Sequence, residues 1–369
     1  MISRSRSPNY RGRHRLFPLS LAGSIALIAG HSILAKTPPT PTGTPVPAYA
    51  PLDQAMTEFM DRCDCAAATA AVSKNGKLVF SRGYGWSDAL EKKRTLPDVL
   101  LRIGGVTQPI TAAAVRKLIR DGKLSLDTKA FKFLNLKPLR FANPDPRLDD
   151  ITVGDLLEHR GGWDAHTFDP FTDLPAIEKS LRVKRRPRPV EIVRFMLSEP
   201  LQFDPGSRKV FSNFGYCVLG RVVEKATGKS YGTYIKEALM RPLGVDDVRP
   251  ARHLADQRDP REVWYPVKDV PVETMDSFGG LLASAPALCK FLDVYWANGQ
   301  PRQPGDDEQW TYFGNIAGTT ALVRQRPDGY NIAILSTVRG KRPLTEKDDR
   351  ALERQIEEAI DKVAAAEGK

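Results

Sequence analysis

Two hairpin signals, one near each end of the folded part of the chain, constrain its fold more than any other feature. Asn75-Gly76 and Pro327-Asp328-Gly329 each separate two short runs rich in strand-forming residues. A Gly-containing turn between such runs is typical of an antiparallel hairpin, and Asn-Gly is the strongest two-residue case. We therefore expect four strands, at residues 67–73, 77–84, 320–326 and 330–337.

The chain between these hairpins has helical patterning. A helix is also predicted over Leu52 to Arg62, before the first hairpin, and another over Asp348 to Ala365, after the last. Strands at both ends with helices between them predict an α+β fold. It has an antiparallel sheet formed by both termini and flanked by helices, with an all-helical lobe inserted. With 369 residues, 41% of them hydrophobic, the chain is long enough and apolar enough for such a core.

The N-terminus has the layout of a signal peptide. Five arginines before residue 16 precede an apolar run from Leu16 to Gly30, with no acidic residue before it. We predict a signal peptide over residues 1–35 with cleavage after Ala35. The alternative is an uncleaved membrane anchor over Leu16 to Ala35. Either outcome predicts an exported protein, periplasmic or extracellular.

Residues 36–51 contain six prolines and predict an extended spacer, followed by one folded body over residues 52–369. The net charge of +11 does not indicate nucleic-acid binding. Five of its cations lie in the signal segment, and five more form a loop between Arg182 and Arg188 that could contact an anionic envelope surface weakly. Buried thiols and disulfides both remain open for the four cysteines, Cys63, Cys65, Cys217 and Cys289.

A series of motifs in the body resembles the serine β-lactamase-like hydrolases in order from about residue 55 to residue 340. This family includes class C β-lactamases, penicillin-binding proteins and related esterases. The segments that carry the resemblance are Leu101–Ala114, Gly122–Asp127, Ile151–Val153, Leu156–Gly162, Pro205–Ser207, Phe211–Tyr216, Ser277–Leu281 and Gly314–Thr319.

The resemblance implies an acyl-transfer site, but the expected catalytic groups are absent. In this family a Ser-x-x-Lys turn at a helix N-terminus supplies the nucleophile and its base, and a Tyr-x-Asn motif assists proton transfer. Gly105 stands at the serine position, Gln108 at the lysine position and Phe211 at the tyrosine position. Asn213 is retained, and no Ser-x-x-Lys occurs anywhere in the chain. The third motif aligns with Tyr312-Phe313-Gly314.

We therefore predict a family member without the family reaction. The alternative is an active serine hydrolase, of esterase, β-lactamase or D-amino peptidase type, that uses a nucleophile at another position. Thr107 lacks a lysine three residues later, because position 110 is Ile. Ser230 lies in Gly228-Lys229-Ser230-Tyr231-Gly232, which matches a nucleophile elbow on paper. Capping fits better, with Gly228 ending one helix and Ser230 beginning the next.

The remaining cleft could still bind a ligand. The resemblance implies a carbonyl-binding pair of backbone N–H groups at Gly105 and Asn315, and backbone donors survive side-chain replacement. Asn213 could bind an amide, and Trp163 either lines the cleft entrance or anchors a loop as a buried indole. The expected occupant is a peptide, a cell-wall-type ligand or a protein partner, unless the cleft is filled by its own side chains.

No cofactor is expected. His159, His166 and Asp164 lie close together in sequence, but three such residues on a Gly-rich loop are weak evidence for a metal site. We expect hydrogen bonds that order the loop, and no bound metal.

Overall fold

The computed structural model describes residues 39–139, 144–303, 305–340 and 344–367. The predicted signal peptide and the first residues of the spacer lie outside this part. None of the described helices is both long and apolar enough to cross a bilayer.

A five-stranded antiparallel sheet forms the centre of the molecule, in the order β2-β1-β8-β7-β6. A second, three-stranded antiparallel sheet has the order β3-β5-β4. The strands are β1 (Cys65–Lys74), β2 (Lys77–Gly85), β3 (Leu101–Arg102), β4 (Val248–Pro250), β5 (Leu281–Ala283), β6 (Trp310–Phe313), β7 (Thr319–Gln325) and β8 (Tyr330–Val338).

Helices cover both faces of the large sheet and build the inserted lobe. They are α1 (Ala50–Arg62), α2 (Thr107–Arg120), α3 (Ala130–Leu134), α4 (Val153–Leu157), α5 (Leu174–Leu181), α6 (Pro189–Met196), α7 (Asn213–Thr227), α8 (Tyr231–Tyr234), α9 (Ala285–Val294) and α10 (Glu346–Glu367). A π-helical turn follows α8 at Ile235–Met240, and 3₁₀ turns lie at Pro47–Tyr49, Gly104–Val106, Pro146–Asp150, Arg241–Leu243 and Ala255–Gln257.

The predicted hairpins and the α+β layout are confirmed. Strands β1 and β2 pair directly, and both residues of the intervening turn have positive φ, 51° at Asn75 and 79° at Gly76. This is the combination that a type I′ turn requires. Strands β7 and β8 pair in the same way at the C-terminal hairpin, and β1 pairs with β8. The two chain ends therefore complete one sheet.

Alternation along the strands divides the core into two layers. Ala68, Ala70 and Val72 of β1 pack with α1 and α10, whereas Ala67 and Ala71 face the core shared with the helical lobe. Successive strand residues point to opposite faces, so both faces of β1 are buried. The helical lobe is thereby attached to one side of the sheet.

Part of the segment predicted to be a spacer packs against the folded body. Thr42 binds Gly83 through its backbone N–H at 2.8 Å, and Tyr49 stacks on Phe80 with ring centroids 5.2 Å apart. Helix α1 begins at Ala50, two residues earlier than expected. Described residues from about 42 onward therefore pack on the body, because backbone pairing and a buried aromatic ring compensate for the prolines.

The basic loop is partly neutralised by its own neighbours. Arg185 and Arg188 lie 2.7 and 3.0 Å from the carboxylate of Glu191. Hydrogen bonds from Arg185, and then from Arg188, lower the pKa of Glu191 to about 2. The weak contact of this loop with an anionic surface stays a prediction. The four cysteines are free thiols, with Cys217 and Cys289 buried.

Candidate functional site

The turn that precedes α2 lies in direct contact with the end of β6. A Cβ atom built on Gly105 would lie 2.8 Å from the backbone oxygen of Phe313. On the other side of this contact, a Cβ on Gly314 would lie 2.0 Å from the backbone oxygen of Ile103. Both distances are shorter than carbon and oxygen tolerate without a shift of the backbone. The two glycines thus let the turn and the strand approach each other, and a side chain at position 105 would require the backbone to shift.

Gln108, one turn into α2, fills the position of the family lysine with a neutral amide. Its side chain is 0% exposed. The Tyr312 hydroxyl donates to its Oε1 at 2.6 Å, and its Nε2 donates to Oδ1 of Asn213 at 3.1 Å. Asn213 in turn donates through Nδ2 to Asp169 at 3.4 Å. These four side chains form one hydrogen-bonded chain around the position that the resemblance aligns with the family lysine.

Burial controls the charge of this chain. It raises the pKa of Tyr312 well above its usual value, so the hydroxyl stays protonated and donates to Gln108. Burial also raises the pKa of Asp169, opposed by hydrogen bonds from the Phe171 backbone and from Asn213. No described lysine or arginine is bonded to Gln108 or Asn213. The centre therefore lacks the cation that would assist a nucleophile.

Phe211 lies on the surface two residues before Asn213, and we call the surface around its ring the rim. The next residue is Ser212, whose side chain caps α7 by accepting from Gly215 N–H. The Phe211 ring is 50% exposed, and its centroid lies 4.9 Å from that of His159. Burial, helped by the charge of Lys209, lowers the pKa of His159 to about 4. The imidazole is thus neutral at pH 7 and accepts the Ser212 N–H at Nδ1, 3.2 Å away.

The side chains of two expected ligand-binding residues make structural contacts. Asn315 donates to Asp349 of α10 at 2.7 Å and accepts from Thr320, so its side chain joins the sheet to that helix. Only its backbone N–H is left for a ligand. Trp163 is 2% exposed and packs edge-on against Phe214, with centroids 4.7 Å apart. Its indole lies in the core of the helical lobe and not at the cleft entrance.

The structure also places the possible replacement nucleophiles. Thr107 is fully buried, and its hydroxyl accepts from Leu281 N–H at 3.4 Å. Gly228 ends α7 with φ of 68° and Ser230 caps α8, which confirms the capping interpretation. His253 is hydrogen-bonded to Glu273, a partner that the sequence did not reveal. Neither residue of this pair is bonded to Ser230, because the serine hydroxyl contacts Thr233 at 2.8 Å.

The two loop histidines, His159 and His166, bind different partners. His166 binds Asp164 only through its backbone N–H, at 3.0 Å, whereas the ring of His159 binds Ser212. Within the described residues, no group of three or more His, Cys, Asp or Glu side chains could hold a metal ion.

Sequence reasoning missed one member of the hydrogen-bonded chain, Asp169, which carries no sequence signal. It named Tyr312 as part of the third motif but did not predict the bond from Tyr312 to Gln108. One clue was available, because a glutamine offers one donor and one acceptor where the family has a lysine. Such a residue, when buried, needs two partners of opposite kind.

Comparison with known proteins gives a consistent result. The family model described as Beta-lactamase matches residues 52–344. A probable fimbrial assembly protein FimD, serogroup H1, of Dichelobacter nodosus is 28% identical over 256 residues, covering 65% of this chain and 60% of the relative. Esterase EstB of Burkholderia gladioli is 31% identical over 183 residues, covering 49% of this chain and 46% of the esterase. The chain thus spans about half to three fifths of these relatives.

Solved structures show the same fold. A D-amino acid amidase from Ochrobactrum anthropi SV3, complexed with L-phenylalanine, has a TM-score of 0.65 at 18% identity and covers 86% of this chain and 99% of its own. An octameric penicillin-binding protein homologue from Pyrococcus abyssi has a TM-score of 0.61 at 22% identity, covering 79% of this chain and 74% of its own. At these identities the likeness concerns the fold alone.

Proposed function

Since this chain belongs to the beta-lactamase family, we propose that it is a member that keeps the family fold and has lost the acyl-transfer reaction. The observation that carries this proposal is the buried Gln108, whose amide bonds Tyr312 and Asn213 at the lysine position. A neutral amide cannot accept a proton from a nucleophile at pH 7. Gly105 supplies no nucleophile to activate.

Three losses at once are more severe than any single one. Members of a catalytic unit act together, so removing even one typically lowers the rate by roughly 10⁴ to 10⁶-fold. A replacement nucleophile would have to be accessible and close to a base. Thr107 is buried and the Ser230 hydroxyl contacts Thr233, so neither supports a relocated mechanism.

We propose that the protein is exported and acts by binding at the rim of the old cleft. The arginine-rich start and apolar run of the N-terminus support export. Phe211 supports binding, since a half-exposed aromatic ring offers apolar contact to a ligand. The ligand that we propose is a peptide or cell-wall-type ligand, because a backbone N–H group such as that of Gly105 can donate to a carbonyl whatever the side chain.

Chemical probes test the loss of catalysis. The full chain is incubated with a fluorogenic ester, a chromogenic β-lactam, a fluorophosphonate label and a fluorescent penicillin. We expect no turnover above a heat-denatured sample and no covalent label by intact-mass spectrometry. Stoichiometric labelling of any serine or threonine would establish the active alternative, and peptide mapping would locate its nucleophile.

A binding measurement tests the rim. N-acetyl-D-alanyl-D-alanine serves as the probe, titrated by calorimetry into the full chain. Phe211→Ala is expected to weaken binding about fivefold or more, because an aromatic contact is lost. Leu126→Ala is the matched control, since Leu126 is also about half exposed and lies outside the site. Equal affinities of wild type and Phe211→Ala would refute a role of the rim.

A further inference from the structure

A cavity lies away from the Gln108 centre, between two loops at residues 87–99 and 255–264. Its volume is about 830 Å³. Backbone hydrogen bonds join the loops, from Trp264 N to Ser87 O at 2.8 Å and from Val263 N to Leu100 O at 3.1 Å. Pockets for small molecules usually have volumes of about 300 to 1,000 Å³. The cavity is thus large enough for a ligand, and backbone hydrogen bonds hold its two loops together.

Apolar side chains form much of the lining and remain accessible. Trp264 is 37% exposed and Leu96, on the opposite loop, is 54% exposed. Val99, Val263 and Pro260 complete this apolar lining. Large apolar groups exposed together on a soluble domain are uncommon unless something binds them.

The acidic groups around the cavity are already engaged. Asp88 accepts the backbone N–H groups of Lys92 and Lys93 at 2.9 and 2.8 Å. The remaining acids lie against arginines, in the pairs Asp259–Arg249 at 2.6 Å, Asp98–Arg261 at 3.9 Å and Glu262–Arg102 at 3.5 Å.

The cations of the same cavity have unused capacity. Among the described residues, no hydrogen bond or ion pair reaches the side chains of Lys93 or Arg94, and both are exposed. On the other loop, Arg258 has a buried Nε without a hydrogen-bond partner. The side chains of Lys93 and Arg94 therefore offer donors that no described group uses. Such donors beside exposed apolar groups favour a ligand that carries both an anion and an apolar part.

We propose that this cavity binds an amphipathic anion, meaning one carboxylate or phosphate group attached to an apolar chain or ring. The apolar part packs against Trp264 and Leu96. The anionic group accepts hydrogen bonds from Lys93 and Arg94. Such a group could belong to a free small molecule or to the headgroup of an anionic lipid, and the test separates these sources.

Octyl phosphate, kept below its micelle concentration, is the probe. We expect it to bind the full chain in calorimetry, with 1-octanol and inorganic phosphate each binding at least about tenfold more weakly, because each lacks one half of the ligand. The double variant Lys93→Gln/Arg94→Gln is expected to weaken binding about tenfold. Trp264→Ala is expected to weaken it about fivefold.

The matched control is Lys77→Gln/Lys123→Gln, which removes the same charge outside the cavity lining. Equal weakening by both double variants would overturn the proposal, since it would indicate attraction by overall charge only. Absence of octyl phosphate binding to wild type would also overturn it.

Sedimentation with phosphatidylglycerol vesicles identifies whether the anionic group belongs to a lipid or to a free molecule. Weaker sedimentation of the Lys93/Arg94 variant than of wild type indicates a lipid headgroup, and equal sedimentation indicates a free molecule.

Discussion

Replacing Gly105 by alanine tests whether the turn before α2 and the end of β6 are in direct backbone contact. The added Cβ would lie 2.8 Å from the oxygen of Phe313, which belongs to β6 and is held in register with Leu322 of β7. Overpacking of this kind typically costs about 1–3 kcal/mol. Reduced freedom of the unfolded chain returns about 0.5–1 kcal/mol. We expect a net loss of about 1–2 kcal/mol in the free energy of unfolding.

Alanine substitutions at two other glycines should change the free energy of unfolding by larger and smaller amounts. A Cβ on Gly314 would lie 2.0 Å from the Ile103 oxygen, so Gly314→Ala is expected to cost more, about 3 kcal/mol. Gly215 in α7 is the matched control, because its nearest neighbour would be the Leu156 oxygen at an ordinary 3.7 Å. Gly215→Ala should be neutral or stabilise by about 0.5–1 kcal/mol, as alanine favours a helix over glycine.

The assay is urea unfolding of wild type and the three variants, followed by far-ultraviolet circular dichroism at constant pH. The midpoints should fall in the order Gly215→Ala, wild type, Gly105→Ala, Gly314→Ala, with similar slopes. Gly105→Ala and Gly215→Ala with the same midpoint would refute the closed contact. So would hydrolysis regained by Gly105→Ser/Gln108→Lys/Phe211→Tyr, since the serine needs the same space as the alanine.

Three further measurements follow from the same structure. Tyr312→Phe and Gln108→Leu should show a coupling energy of about 1 kcal/mol in a double-mutant cycle, because they share one hydrogen bond; additive losses would contradict it. The free energy of unfolding should fall by about 3 kcal/mol as the pH drops from 6.5 to 4, because unfolded His159 binds a proton that the folded state excludes, and His159→Asn should flatten this slope. Cys217 and Cys289 should react with Ellman's reagent only on unfolding, as burial raises the pKa of Cys217 to about 12; rapid labelling of the native protein would oppose this.

Local patterns predicted much of the fold. Asn75-Gly76 fixed a turn type and thereby a hairpin, since the two positive φ angles suit these residues. Gly228 and Ser230 likewise ended and began helices as their chemistry predicts. In each case the residues that decide the conformation are neighbours in sequence. Such features can be deduced without knowing the tertiary structure.

Long-range contacts could not be predicted in this way. The Tyr312–Gln108 hydrogen bond joins residues 204 positions apart, and Asn315 reaches Asp349 on a different element. The cavity between residues 87–99 and 255–264 has the same origin, since neither loop has a ligand-binding motif of its own. Sequence reasoning identified which side chains stand at the family's catalytic positions, but not the hydrogen bonds that they form.

Gln108 and Gly105 do more than remove a lysine and a serine, because each residue makes a contact that stabilises the fold. A lysine at position 108 would place an ammonium in a fully buried site, where an uncompensated charge costs several kcal/mol. The amide offers one acceptor to Tyr312 and one donor to Asn213, so both partners are satisfied without charge. Glycine at position 105 lets β6 approach within contact distance. Both residues therefore suit a centre without a cation, and restoring the family side chains alone would leave the backbone contact in place.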